Sequence, residues 1–380
     1  MASVKRPFLR SFIFIFIVAG LLLAGCAGQI PNESWPGLST DGEAVYVAYG
    51  PRVLAYNVDS QRPAWSFPAE PGGSLFFYAA PSVQDNRIVI GDYGASQGLL
   101  SPGIVVSVYA LEDGQQSTPD LLWADDDLAR DRIVAPPLQV DDRVFVGTAD
   151  NMVLALDATN GAELWRFSTG HSIWAQPTYH EGVLYVASLD RHLYALEAES
   201  GTELWRTELS GALSGKPIVG DGLVYVASFD ERLHALSSET GEEAWAIDAE
   251  DWIWSAPVLA DSVLYFADSQ GNVYAAEASS GREIWRALAP GSVLTSPVVA
   301  NGVVYVASAL GEEAEQGVLT AYDAESGQEL WQETTPAPLH TTPVIVNDEI
   351  IVALQSETAL LMAFDLESGD QRWSFAPPAA

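Results

Sequence analysis

Residue types that hold metals or act as nucleophiles are present, but their spacing does not form a recognisable site. The carboxylates Asp125, Asp126, Asp127 and Asp131 could bind calcium loosely, yet they lack the alternating oxygen ligands and the glycine of a calcium loop, so we favour a solvated acidic loop. No phosphate-binding glycine loop and no Gly-x-Ser-x-Gly motif occurs. We predict no catalytic residue and no metal site. The histidines also lack ligand spacing: His171, His180, His192, His234 and His340.

A more suggestive set of residues precedes a recurring proline. Three residues before that proline stand Tyr78, Val134, Trp174, Ser214, Trp254, Leu294 and His340. One residue before it stand Ala80, Pro136, Gln176, Lys216, Ala256, Ser296 and Thr342. Positions two apart share one face of a strand, and lysine, glutamine and threonine are costly to bury between sheets. We therefore expect this face to line a central channel, with Tyr78, Trp174, Trp254 and His340 around its mouth.

Two interpretations of this channel remain open. An aromatic rim with Lys216 and Gln176 could hold a sugar or a ring-shaped cofactor. Alternatively, the large side chains only plug the channel, which is the interpretation that we favour. In addition, Trp252, Ile253 and Trp254 lie together on one connecting segment. We expect them, with Ile173, Trp174 and an insertion at 91–103, to form a face that docks a partner protein.

These residues must be positioned by a repeated unit. The stretch 155–165 reads Ala-Leu-Asp-Ala-Thr-Asn-Gly-Ala-Glu-Leu-Trp and returns at 195–205, 235–245, 275–285, 321–331 and 363–373. Each copy places glycine four residues before tryptophan, which is typical of a tight turn between two strands. The unit at 55–65 has Gln61 at the glycine position, and the unit that ends at Trp123 is distorted. The units end at Trp65, Trp123, Trp165, Trp205, Trp245, Trp285, Trp331 and Trp373.

The repeat predicts an all-β, eight-bladed β-propeller of four-stranded antiparallel blades over residues 35–376. In the fourth unit we expect strands at 176–179, 183–187, 192–196 and 203–206. Insertions at 91–103 and 311–317 fall between second and third strands, on the same face as the links between blades. Ring closure either pairs the first and last blades simply or adds an outer strand from 29–33.

The amino-terminal segment has the features of a lipoprotein signal peptide. Lys5, Arg6 and Arg10 precede an apolar run that is too short to favour a membrane span. The following Leu-Ala-Gly-Cys resembles a bacterial lipobox, and Cys26 is the only cysteine. We expect a signal peptide at 1–25, lipidation at Cys26 and a tether at 26–34. The alternative is an ordinary secretory signal. Lipidation places the protein at the outer membrane of a two-membrane bacterium, or on the outer face of the cell membrane otherwise.

The charge balance restricts the possible partners. The chain has 17 basic and 51 acidic residues, a formal net charge of −34. Such a surface repels nucleic acid, so we predict no nucleic-acid partner. A basic partner is possible, although we favour the interpretation that the acidic residues mainly maintain solubility.

The repeat Ala-x-Asp-x-x-Thr-Gly-x-x-x-Trp resembles the tryptophan-docking repeat of pyrroloquinoline quinone (PQQ) propellers. Ala155, Asp157, Gly161 and Trp165 match it most fully, with Asn160 at the usual threonine position. The resemblance implies that each tryptophan stacks on a neighbouring blade. A lipobox followed by eight such blades is similar to the BamB family of outer-membrane assembly lipoproteins, in which the propeller is a non-catalytic scaffold that binds protein through interblade loops.

The same resemblance raises the possibility of an enzyme. A quinoprotein dehydrogenase requires calcium, a catalytic aspartate, cationic groups for PQQ and, in many members, a cysteine pair. This chain has no cysteine pair and few basic residues. We therefore predict a monomeric, membrane-anchored scaffold without a cofactor, bound to an envelope protein. The alternatives are a PQQ- or sugar-binding propeller and a PQQ-dependent dehydrogenase.

Overall fold

A computed structural model of the chain describes residues 35–70, 75–96, 104–114, 118–311, 315–356 and 358–376. The expected signal peptide, Cys26, the tether and the possible closing strand at 29–33 lie outside the described residues. The described residues include no helix long and apolar enough to cross a membrane.

The described strands form eight antiparallel sheets, each built from consecutive strands. Blades 1 and 2 contain β1 (Gly37–Thr40), β2 (Ala44–Tyr49), β3 (Arg52–Asn57), β4 (Arg62–Phe67), β5 (Ser82–Gln84), β6 (Arg87–Gly91), β7 (Ala95–Ser96), β8 (Ile104–Glu112) and β9 (Asp120–Ala129). Blades 3 and 4 contain β10 (Leu138–Val140), β11 (Arg143–Gly147), β12 (Met152–Asp157), β13 (Glu163–Ser168), β14 (Thr178–His180), β15 (Val183–Ala187), β16 (His192–Glu197) and β17 (Glu203–Glu208).

The second half of the ring repeats this order. Blades 5 and 6 contain β18 (Ile218–Gly220), β19 (Leu223–Ser228), β20 (Arg232–Ser237), β21 (Glu243–Asp248), β22 (Val258–Ala260), β23 (Val263–Ala267), β24 (Asn272–Glu277) and β25 (Glu283–Leu288). Blades 7 and 8 contain β26 (Val298–Ala300), β27 (Val303–Leu310), β28 (Gln316–Asp323), β29 (Glu329–Thr335), β30 (Val344–Val346), β31 (Glu349–Ala353), β32 (Leu361–Asp365) and β33 (Gln371–Phe375). The predicted eight-bladed propeller is confirmed.

The innermost strands begin later than the sequence predicts. In blade 4 the expected strand at 176–179 is β14, Thr178–His180. Pro177 has no N–H to donate to the ladder, so pairing starts only after it. Gln176 and Lys216 consequently lie on the links that enter blades 4 and 5, immediately before the strands. The other three strands of blade 4 begin at their predicted residues, and the third and fourth extend further than predicted.

The hydrophobic core lies between blades, and it also closes the ring. Leu184 and Val186 of blade 4 pack in one cluster with Phe145 and Trp165 of blade 3. At the seam of blades 8 and 1, Val45 and Ile351 belong to a common cluster. The Thr341 hydroxyl also donates to the Pro36 carbonyl at 2.6 Å across this seam. The described strands therefore close the ring by simple pairing of the first and last blades.

Six of the eight repeated tryptophans pack on the glycine of the next blade. A Cβ placed on Gly201 would lie 2.6 Å from Cε3 of Trp165, so only glycine leaves room for the indole. The Trp165 N–H donates to the Ala198 carbonyl at 3.1 Å. One blade further, the Ser238 carbonyl accepts bonds from both Trp205 and Tyr185. The conserved spacing of the repeat thus produces a regular joint between consecutive blades.

The joints on both sides of blade 1 use different partners. Trp65 donates to the Asp113 carboxylate at 2.7 Å rather than to a backbone carbonyl. Trp373 donates to Glu349 of its own blade at 2.8 Å and stacks on Tyr56, with ring centroids 5.0 Å apart. Gln61 occupies the glycine position of blade 1 and adopts a φ of 52°. Side chains therefore replace the glycine joint where the repeat is imperfect.

The two faces of the ring are built from different loops. The Gly170 N–H on the link into blade 4 donates to Asp190, which lies between β15 and β16, at 2.5 Å. The Leu189 N–H donates to the Ser172 carbonyl at 3.0 Å. Interblade links and the loops between second and third strands therefore share one face, as predicted, which we call the link face. The opposite face carries the tight turns, and we call it the turn face.

A glycine substitution tests the joint between blades. Gly201 and Gly182 both have positive φ, 71° and 85°, but a Cβ on Gly182 would have no atom within 4 Å. The left-handed backbone should cost about 1 kcal/mol in either alanine variant. Gly201→Ala should cost about 1–3 kcal/mol more, because its methyl group overlaps Trp165. Urea unfolding of both variants measures the difference, and equal midpoints would contradict the role of the joint.

A carboxylate substitution tests how the link face is held. Burial raises the pKa of Asp190, but hydrogen bonds from Tyr194, Gly170 and His192 outweigh it and hold that pKa below its usual value. Its stabilising contribution is therefore complete above the unfolded-state pKa and is lost as the pH falls through the folded-state pKa. Asp190→Asn should lower the free energy of unfolding by about 1–3 kcal/mol at neutral pH, with a smaller loss in acid.

Exposed Asp221, in a turn of blade 5, provides the control for this experiment. Unfolding of Asp190→Asn and Asp221→Asn should be followed from neutral to acidic pH. An equal cost for both variants, or a cost of Asp190→Asn that is independent of pH, would show that Asp190 does not anchor the link.

Candidate functional site

The rim residues from the links into blades 4 and 6 meet on the link face. Trp174 and Trp254 have ring centroids 6.3 Å apart, although blade 5 separates their blades. Ser214 occupies the corresponding position of blade 5, and its hydroxyl donates to the Trp254 carbonyl at 2.8 Å. Because serine is small, the two indoles can approach each other across it. The structure thus places two of the four predicted mouth residues together.

Phe229 extends this pair into a larger aromatic surface. It lies in the loop between β19 and β20, stacks on Trp254 at 5.2 Å and contacts Trp252 at 6.0 Å. Trp252 is 53 % exposed and Trp174 is 38 % exposed. We call Trp174, Phe229, Trp252 and Trp254 the aromatic patch. It is an apolar surface open to solvent, of the kind that commonly contacts another molecule.

The isoleucines expected beside the patch do not belong to it. Ile173 and Ile253 are fully buried. Ile173 fills the space above Gly147, where an added Cβ would lie 2.5 Å from its side chain. Residues alternate along each link, so a buried isoleucine stands next to an outward tryptophan. The predicted grouping of Ile173 and Ile253 with the exposed aromatic residues was therefore wrong. Instead, the two isoleucines pack beneath the patch.

Tyr78 and His340 belong to separate contacts rather than to the patch. Tyr78 packs on Tyr93 with centroids 4.2 Å apart, and the Arg132 guanidinium lies 4.7 Å above the Tyr93 ring. His340 stacks on Trp35 at 4.6 Å. Burial lowers the pKa of His340, which favours its neutral form and an aromatic rather than a cationic role. The four predicted mouth residues therefore form three distinct aromatic groups.

Several of these partners are missing from the sequence prediction. Trp35 stands one residue before Pro36, as Gln176 and Lys216 stand one residue before their prolines. Extending the alignment of these prolines to blade 1 would therefore have identified Trp35. Phe229 and Tyr93 lie in loops between second and third strands. Aligning those loops in the sequence would have identified both residues, because the loops share the link face with the rim.

Below the mouth, polar side chains connect neighbouring blades around the channel. The Lys216 ammonium donates to Oε1 of Gln176 at 2.8 Å, and Nε2 of Gln176 donates to the Pro137 carbonyl at 2.8 Å. On another arc of the ring, the Ser296 N–H donates to the Thr342 hydroxyl at 3.0 Å. Burial lowers the pKa of Lys216. Gln176 and Lys216 are therefore in direct contact, and they offer polar groups beneath the aromatic patch.

The acidic run lies in a strand and not in the expected loop. Asp125, Asp126 and Asp127 fall within β9, the outermost strand of blade 2. The strand is irregular here, because a register shift falls between Asp125 and Ala129, and Asp126 and Asp127 are both exposed. Asp125 pairs with Val108 of β8, and pairing resumes only at Ala129, opposite Val106. Within the described ranges, no group of three or more histidine, cysteine, aspartate or glutamate residues is arranged to hold a metal ion.

A shallow cavity of about 360 Å³ lies away from the rim, between blades 3 and 4 on the turn face. Its walls include Asp141, Asp142, Tyr179 and Glu199. Arg143 donates to the Ala198 carbonyl at its edge, at 2.9 Å. The carboxylates disfavour an anionic ligand there, and no nucleophile with an adjacent base lines it. The rim and the aromatic patch remain the candidate site.

Comparison with solved structures places these features in a known fold. BamB from Moraxella catarrhalis is 20 % identical, with a TM-score of 0.62 over 78 % of this chain and 84 % of that chain. The computationally designed protein Ika8 is 14 % identical, with a TM-score of 0.67 over 90 % and 97 %. The quinohemoprotein alcohol dehydrogenase of Comamonas testosteroni is 12 % identical, with a TM-score of 0.63 over 90 % and 74 %. These similarities establish the fold alone.

Sequence comparison is more specific about ancestry. No curated protein sequence matches the chain. The family described as outer membrane protein assembly factor BamB matches three overlapping segments, 116–175, 149–252 and 230–379, which together span more than half of the chain. Because these segments cover more than half of the chain, the chain belongs to the family described as outer membrane protein assembly factor BamB.

Proposed function

We propose that this protein is a non-catalytic scaffold of the bacterial envelope and that its link face docks a partner protein. The observation that carries the proposal is the aromatic patch, which exposes Trp174 and Trp252 on a single face. Membership of a family described by outer membrane protein assembly supports a role in assembling envelope proteins. Exposed tryptophans at the centre of a face are frequent energetic anchors of protein interfaces.

The charges around the patch define the partner further. Asp251 immediately precedes Trp252 on the same link, whereas the adjacent Glu250 is ion-paired with Arg286 at 2.8 Å. A hydrogen bond from Ser269 is the largest of several effects that lower the pKa of Asp251, so this carboxylate is ionised at neutral pH. The partner that fits this surface presents apolar side chains bordered by lysine or arginine. Such complementarity favours fast and selective association.

Attachment to a membrane is a separate part of the proposal. The signal-like segment and Cys26 support lipidation, with the propeller held on the periplasmic side of the outer membrane, or outside the cell membrane of a one-membrane host. Anchoring would keep the scaffold near partners that are themselves inserted into the membrane. It requires no membrane-spanning helix.

Catalysis is not part of this function. The described channel residues include no nucleophile paired with a general base, and the likeness to a quinohemoprotein dehydrogenase concerns the fold alone. We propose that the scaffold works without PQQ or another redox cofactor. A dye-linked dehydrogenase assay after addition of calcium and PQQ should therefore give no activity above that of the protein without additions.

Photocrosslinking in intact cells tests the docking face. A photoreactive residue should be placed at Trp252 and, as a matched control, at Leu204 on the outer strand β17. Both side chains are 53 % exposed, so simple accessibility is the same. Position 252 should give one discrete adduct with an envelope protein, whereas position 204 should give none. Diffuse products at both positions, or a discrete adduct only at position 204, would contradict the proposal.

Cysteine replacement tests the anchor. Because Cys26 is the only cysteine, Cys26→Ser should abolish incorporation of a clickable palmitate analogue and move the protein from the membrane fraction to the soluble fraction. Gel fluorescence and fractionation measure both effects. Continued acylation of the variant would refute lipidation at this residue. If the variant loses the anchor but still gives the crosslink at position 252, docking does not depend on the anchor.

A further inference from the structure

Lys216 is the only lysine of the chain after Lys5, in a sequence with 51 acidic residues. It stands at the channel, one residue before Pro217, and is only partly exposed. The ion pairs among the described residues all use arginine or histidine as the cation. Lys216 therefore forms no ion pair with a carboxylate of the described residues.

The one hydrogen bond of Lys216 leaves donors available. Its Nζ donates to Oε1 of Gln176 at 2.8 Å. The Gln176 amide is fixed in that orientation, because its Nε2 donates to the Pro137 carbonyl. A lysine ammonium has three N–H groups, so two remain for another acceptor. Gln176 positions the ammonium without cancelling its charge, whereas a structural ion pair would cancel it.

Chain connectivity links the aromatic patch to this ammonium, because Lys216 contacts Gln176 on the link that also carries Trp174. Trp174 stands two residues before Gln176, and Ser214 stands two residues before Lys216. Trp174 and Trp254 meet across Ser214, and Trp174 remains 38 % exposed. Indole faces bind flat rings by offset stacking, and an ammonium in partly desolvated surroundings binds anions more strongly than in water.

We propose that Lys216, oriented by Gln176, and the indoles of Trp174 and Trp254 form a binding site for a small carboxylate that bears a flat ring. The carboxylate accepts hydrogen bonds from Lys216, and the ring packs against the indoles. This site goes beyond protein docking, since it lies at the channel mouth and requires no partner chain. Its cation also offsets locally the repulsion that the net charge of −34 exerts on an anion.

Selective labelling makes the proposed site directly observable. The full chain, grown with lysine labelled with ¹³C at Cε, contains only Lys5 and Lys216, and the Lys216→Met variant assigns their two resonances. Titration with benzoate should shift the Lys216 resonance to saturation, and benzamide, which has the same ring without the charge, should not. A short peptide ending in phenylalanine, compared with its C-terminal amide, distinguishes a chain terminus from a free acid as the source of the carboxylate.

Three variants separate binding from folding. Lys216→Met should weaken benzoate binding at least about tenfold by calorimetry, because the charged hydrogen bonds are lost. Trp174→Ala, in which Lys216 is retained, should weaken benzoate but leave acetate unchanged. Arg282→Met removes a cation that is paired with Glu277 on the turn face and should change neither. An unshifted Lys216 resonance, or equal shifts with benzoate and benzamide, would overturn the proposal whatever the result of crosslinking at Trp252.

Discussion

The packing of six of the eight repeated tryptophans on the glycine of the next blade is the interaction on which this fold depends. Trp165 stacks on Gly201 and donates to the Ala198 carbonyl, which fixes both the distance and the rotation between two blades. The same packing recurs from blade 2 to blade 8, although the Trp245 N–H makes no hydrogen bond there. Because the repeat itself holds the ring together, the links and loops on the link face are free to differ. The aromatic patch occupies that variable region.

The imperfect joints show that each pair of blades needs a hydrogen-bond acceptor and a flat packing surface for the tryptophan, and that different residues can provide them. Asp113 accepts bonds from both Trp65 and Tyr46, as a backbone carbonyl does in other blades. At the ring closure, Tyr56 provides the stacking surface for Trp373. Each substitute supplies an acceptor or a flat apolar surface where the regular partner is missing. The ring therefore closes in spite of the degraded first and second units.

Much of the fold is predictable from sequence because its information is local and repeated. The spacing of glycine and tryptophan predicts eight four-stranded blades. Contacts between distant segments are different. The meeting of Trp174 with Trp254 depends on the small Ser214 between them, and the addition of Phe229 depends on which loop shares the link face. The start of β14 was mispredicted because the effect of Pro177 on the ladder outweighs the apolar pattern.

The molecule divides into a repeated frame, a docking face and a channel mouth. Hydroxyl-radical footprinting by mass spectrometry, on native membranes and on the purified protein, tests this division most directly. We predict that Trp174 and Trp252 are oxidised less in membranes, while Leu204 and Leu330 on the outer strands are oxidised equally in both. Equal oxidation of the two tryptophans, with protection confined to the outer strands, would contradict it.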